Sequence, residues 1–125
     1  MDSYVVEPQS LFVPYLSDVL ARTGMRVVRV SQRFDVDDIL RTRPEALFLD
    51  ADYLDVDAAD AVSALRAALP QALICAYSDA ITGRRLRGAG ADCVLSKRSD
   101  ADTIAAGLTA AQAGGGFVDP AFEDE

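Results

Sequence analysis

A short apolar run followed by a longer amphipathic one recurs five times along the chain, and few folds accept that alternation. Tyr4-Val5-Val6 is apolar and ends at Glu7-Pro8. After Ser10, a good N-cap, Leu11, Phe12, Tyr15, Leu16, Val19 and Leu20 recur at helical spacing until Gly24 stops the helix. Met25 to Val30 is β-branched and partly alternating, which predicts a second strand, and Asp35 to Arg41 predicts a short helix ended by Pro44. Ala46-Leu-Phe-Leu49 is the uninterrupted apolar run of a strand covered on both faces. A helix over 58–69 follows, then a buried strand over 72–76, a helix over 81–88, a strand over 93–96, and a last helix capped by Ser99 or Asp100. That helix uses Ile104, Ala105, Leu108 and Ala111 and ends in Gly114-Gly-Gly116. Five strand–helix units predict an α/β protein, a doubly wound parallel sheet with helices on both faces. The predicted domain runs over 1–113, and 114–125 is a Gly-rich C-terminal tail without periodicity, or the start of a linker.

Composition then removes whole classes of chemistry. The chain has 125 residues, enough for one core, and no histidine. That excludes histidine-activated nucleophiles, histidine metal sites and service as a phosphohistidine carrier. A formal net charge of −8 argues against nucleic-acid binding by this chain alone. No apolar run is long enough for a membrane span, and Met1-Asp2-Ser3-Tyr4 lacks a signal-peptide layout. Cys75 and Cys93 form no C-x-x-C, so the expectation is a reduced, cytoplasmic protein.

In a doubly wound sheet, ligands gather at the carboxyl ends of the strands. Those ends carry Glu7, Asp50, Cys75 with Ala76, and Lys97, the only lysine among 12 basic residues. Two carboxylates and an ammonium suit a phosphoryl group and a hard cation. Asp50 is the candidate nucleophile or phosphoacceptor, and Lys97 a compact charge toward phosphoryl oxygens. Mg2+ would draw oxygen ligands from Glu7, Asp50 and Asp52. Asp52 is expected as a solvated loop residue that would compensate for a missing acid if its side chain turned inward. The two cysteines are expected on neighbouring strands but at opposite ends, as small core residues.

These residues resemble the receiver domain of two-component response regulators. The resemblance covers residues 3 to about 113 and rests on Val5-Val6-Glu7, Ala46-Leu-Phe-Leu-Asp50, Leu73-Ile-Cys-Ala-Tyr-Ser-Asp79 and Ala89-Gly-Ala-Asp-Cys-Val-Leu-Ser-Lys97. It implies a flavodoxin-like (βα)5 sheet with strand order 2-1-3-4-5. It also implies Asp50 as phosphoacceptor, Lys97 as the family's lysine, and a histidine kinase or phosphotransfer protein as phosphoryl source. Several positions depart from the family. The second member of its acidic pair falls on Pro8, its pocket hydroxyl on Cys75, and its switch aromatic on Val94. These departures predict weakened Mg2+ binding and an atypical switch.

In relatives the face built on the fourth and fifth helices makes homodimers, which here would pair Arg84, Arg85 and Arg87 with Asp100 and Asp102. The segment 110–120 resembles the connection to a C-terminal DNA-binding domain, present if the chain is a fragment of a longer regulator. Two alternatives remain. One is a phosphorylation-independent pseudo-receiver scaffold. The other is a haloacid-dehalogenase-type phosphatase, suggested by Asp50-Ala-Asp52 but opposed by the two strand–helix units that precede it. The acidic run 50–60 lacks the central glycine and terminal glutamate of a calcium loop.

Overall fold

The computed structural model describes residues 1–79 and 83–122. Strands β1 (Asp2–Val6), β2 (Arg26–Ser31), β3 (Ala46–Asp50), β4 (Leu73–Ser78), β5 (Cys93–Ser96) and β6 (Phe117–Val118) form one sheet in the order β2-β1-β3-β4-β5-β6. Every pairing is parallel. Helices α1 (Val13–Arg22), α2 (Val36–Thr42), α3 (Ala58–Ala68), α4 (Gly83–Ala89) and α5 (Ala101–Gln112) link the first five strands and follow the fifth. The start predicted for the fourth helix, at Ile81, lies outside the described residues.

Because successive strand residues face opposite sides, the sheet splits the apolar residues into two cores. Val6, Leu47, Leu49, Ile74 and Val94 pack against Ile39, Val62, Leu65 and Leu86 from α2, α3 and α4. Val5, Phe48, Cys75 and Leu95 pack against Leu16, Val19, Leu20, Ile104 and Leu108 from α1 and α5. Each buried Val, Leu, Ile or Phe side chain contributes about 1.5–3 kcal/mol on burial. The uninterrupted apolar runs of β3 and β5 are buried at every position, whereas β2, an edge strand with two arginines, is mostly exposed.

Local chemistry sets the helix starts. Asp35, Asp57 and Asp100 each accept the backbone N–H three residues on, which assigns the last cap to Asp100 rather than Ser99. Ser10 does not cap α1. It opens a 3₁₀ turn, and the helix begins later, where Pro14 sits in the first turn. Leu11 and Phe12 are therefore left exposed, at 93% and 47%.

The tail departs most from expectation. Gly114 (φ 89°) and Gly116 (φ 67°) adopt left-handed backbone and turn the chain back, and Phe117-Val118 pairs with Cys93-Val94. A two-residue strand is too short to leave a periodic signal. Asp119, 1% exposed, accepts from the backbone N–H groups of Ser96 and Ala121 and from the Ser99 hydroxyl, and Phe122 is buried against the α4 side.

One further expectation changes. Cys75 and Cys93 are direct register partners on β4 and β5 rather than at opposite ends, and both are free thiols. Four of the five charges assigned to a dimer face are engaged within the chain. Arg85 pairs with Asp57, Arg87 donates to the Ala91 carbonyl, Asp102 pairs with Arg22, and Asp100 caps α5. No helix among the described residues is long and apolar enough to cross a membrane.

Candidate functional site

The parallel register brings the ends of β1, β3, β4 and β5 to one edge of the sheet. Val6 pairs with Leu49, Asp50 with Tyr77, and Ser78 with Ser96, so Glu7, Asp50, Ser78 and Lys97 converge there. Asp50 and Glu7 are each 1% exposed. Lys97 Nζ lies 2.7 Å from Asp50 Oδ1 and 3.0 Å from Asp52 Oδ2. The same Asp50 Oδ1 accepts the Asp52 N–H at 3.1 Å. Asp50 Oδ2 is fully buried and has no hydrogen-bond partner, the only such side-chain atom among the described residues.

Glu7 Oε1 accepts the Gln9 N–H at 3.0 Å. Burial pushes the Glu7 carboxyl from 4.5 to about 7. The Gln9 N–H pulls the other way, and the adjacent Asp50 carboxyl adds to the rise. Lys97 is held above the ordinary lysine range: burial disfavours its charge, but Asp50 and Asp52 outweigh that cost. Its ammonium also lies 4.7 Å from the Tyr53 ring centre and 5.6 Å from that of Tyr77.

Asp52 turns inward. Its Oδ1 accepts the Ser78 hydroxyl at 2.6 Å and its Oδ2 the Asp79 N–H at 2.8 Å. Burial opposes its charge, but these donors and Lys97 outweigh it and hold its carboxyl below the usual range.

Of the residues singled out in the sequence, Glu7, Asp50, Asp52 and Lys97 come together, and Cys75 does not. Cys75 sits three residues before the hydroxyl at the strand end, in register with Phe48 and Cys93, inside the α1/α5 core. The sulfur contact with Cys93, and then burial, push its thiol well above the usual range. The hydroxyl in the cluster belongs to Ser78. Motif spacing from Lys97 led to Cys75, but strand register decides which residue reaches the end. Pro8 leaves its position without a carboxylate, and the Asp52 carboxylate faces Ser78 and Lys97 instead of joining Glu7 and Asp50. Among the described residues, no three acidic or cysteine side chains are grouped to hold a cation. Tyr53 and Ser78 carried no sequence signal beyond their neighbourhood to Asp50 and Asp79. A surface cleft of about 640 Å³ lies at the opposite end of the sheet, lined by Met1, Leu40, Pro44 and Leu69, away from all these groups.

No protein-family model matches the sequence, and no curated protein matches it. Solved structures do. A two-component response regulator of the LuxR family from Aurantimonas sp. SI85-9A1 superposes with a TM-score of 0.83 at 19% identity, covering 99% of this chain and 93% of that one. The isolated REC domain of RcsB from Salmonella enterica serovar Typhimurium, in the presence of phosphomimetic BeF3-, gives 0.83 at 13% identity, with 99% and 96% covered. The chain has the fold of a receiver domain. A response regulator from Burkholderia pseudomallei with a phosphorylated aspartic acid, calcium ion and citrate shares that receiver fold at a TM-score of 0.68 and 21% identity, over 90% of this chain and 69% of the other. The predicted order 2-1-3-4-5 is that of the first five strands, and β6 extends the receiver sheet beyond β5.

Proposed function

We propose that the chain is a two-component receiver module whose Asp50 accepts a phosphoryl group from a phosphohistidine on a partner kinase or phosphotransfer protein. One observation carries this most directly. A buried carboxylate at the end of β3 has one oxygen held by Lys97 and the other without a partner. Oδ2 is therefore the oxygen available to attack phosphorus. The new P–O bond gives an acyl phosphate, the P–N bond breaks, and its electron pair leaves on the imidazole nitrogen. Lys97 balances charge at Asp50 throughout.

Glu7 and Asp50 Oδ2, with the backbone carbonyl of Asp52, are the oxygens that would hold Mg2+. The orphaned Oδ2 beside a second carboxyl suits an ion that keeps several waters and needs one or two carboxylates. Bound there, Mg2+ would neutralise charge on the phosphoryl oxygens. Pro8 supplies no third anion, and protonated Glu7 competes with the ion, so binding is weak. Leu11 and Phe12, exposed just after Glu7 on the chain, offer an apolar rim for the partner.

Mass spectrometry after treatment with acetyl phosphate and Mg2+ tests the assignment. Wild type gains one phosphoryl group and Asp50→Asn gains none. Wild type left unmodified, or the Asp50→Asn variant modified to the same extent as wild type, overturns it.

A further inference from the structure

The donors around Asp50 already hold an anion, and that anion is part of the chain. Beyond Asp50 the backbone is pinned by the Ala51 N–H on the Tyr77 carbonyl, and the Asp52 N–H folds back onto Asp50 Oδ1. This turn aims the Asp52 side chain across the ends of β4 and β5. There its two oxygens meet a hydroxyl, a backbone N–H and an ammonium: Ser78 Oγ at 2.6 Å, Asp79 N at 2.8 Å and Lys97 Nζ at 3.0 Å. Ser78 is 0% exposed, and the Asp52 side chain only 11%. The Lys97 N–H on the Ser78 carbonyl fixes the spacing between two of the donors.

A hydroxyl, an amide and a cation converging on two oxygens is the donor set a tetrahedral oxyanion requires. We infer that Asp52 is a tethered internal ligand of this oxyanion cradle, filling the place that phosphoryl oxygens on the adjacent Asp50 would need. The turn holds the carboxylate beside its donors, so it competes as an intramolecular ligand at an effective concentration no dilute phosphate matches. Asp52 is thus a positioning residue with two consequences. The cradle is satisfied before any phosphoryl group arrives, and Asp50 chemistry requires Asp52 to swing out. The second consequence rests on the phosphoacceptor assignment; the occupancy does not.

Proton–nitrogen NMR spectra read the occupancy at the Asp79 amide. In wild type, with no oxyanion present, that amide proton lies downfield as a charge-assisted donor, and added inorganic phosphate leaves it in place. In Asp52→Ala it moves upfield and returns on phosphate titration. Phosphate binds Asp52→Ala and Asp52→Asn at least about tenfold more tightly than wild type. Asp55→Asn removes the same charge from an exposed position of the same loop and stays at the wild-type affinity. An Asp79 amide indifferent to Asp52→Ala overturns the inference, and so does phosphate affinity no higher in the Asp52 variants than in Asp55→Asn. Unchanged peaks from core residues such as Leu49 and Leu95 verify folding, and Asp52→Asn, nearly the same size as the native residue, serves if the alanine variant does not fold. The titration needs no chemistry at Asp50. A protein inert to acetyl phosphate that still shows this response would sink the phosphoacceptor assignment and leave the internal ligand standing.

Discussion

Lys97 Nζ sits 2.7 Å from Oδ1 of Asp50, a carboxylate with almost no contact with solvent. Removing the ammonium strands that carboxylate in the interior, which costs more than the pair itself contributes. Lys97→Met should destabilise the protein by about 2–4 kcal/mol, somewhat below the range for a fully buried pair because Lys97 keeps some access to water. Adding Asp50→Asn should recover most of the loss. Urea denaturation of both single variants and the double variant measures the coupling.

The raised Glu7 carboxyl sets the pH dependence. Its folded-state value, about 7, lies above the ordinary 4.5, so the stability from this group is complete below about pH 4.5 and is lost as pH rises through 7. Wild type should lose up to about 3 kcal/mol from Glu7 between about pH 5 and pH 8. Glu7→Gln should lack that slope and be the more stable protein at the higher pH. Urea midpoints at the two pH values decide it, and parallel slopes in the two proteins would show that another group is titrating.

Much of this site was legible in the sequence because strand ends can be located from apolar runs, and a receiver-like order brings those ends together. Glu7, Asp50 and Lys97 follow from that logic. Ser78 did not, because motif spacing cannot tell which of Cys75 and Ser78 lies at the rim, whereas the pairing of Asp50 with Tyr77 can. The inward turn of Asp52 depends on a hydrogen bond between neighbouring residues, Asp52 N–H to Asp50 Oδ1, which leaves no periodic trace. In the same way α1 was visible from Leu16, Val19 and Leu20, while its start was set by Pro14 rather than by Ser10.

One buried carboxylate adds to the β6 pairing in holding the tail. Asp119→Ala leaves the N–H of Ser96 unpaired in a buried position and should cost about 1–3 kcal/mol. Limited proteolysis should then cut within 114–122 in the variant at protease levels that leave wild type intact.

Gly107 tests the same packing from the other side. A Cβ there would lie 2.6 Å from the Phe117 ring and 3.0 Å from Leu95. Gly107→Ala should cost about 1–3 kcal/mol through overpacking. Phe117→Ala in that background should cost less than in wild type, and a thermal melt of the double variant measures the difference.

Cys75 and Cys93 face each other across β4 and β5 at 1% and 0% exposure. The Cys75 thiol is held well above its usual range, by Cys93 first and burial second. Ellman's reagent at about pH 8 should leave both thiols unreacted in the folded protein and titrate both in denaturant. Reaction of the native protein within minutes would contradict this packing.

The parallel run of β6 returns the backbone after α5 to the Asp50 end of the sheet. α5 ends at the pole of the sheet far from Asp50, but Phe117-Val118 carries the backbone back, and Asp119 meets Ser96 and Ser99 on either side of Lys97. Arg98, next to the lysine, donates to the Ala121 carbonyl. The loop that bears Lys97 is therefore clasped from behind by residues 119–121, so a disturbance at the Asp50 rim and one at the end of β6 are felt by the same few backbone groups.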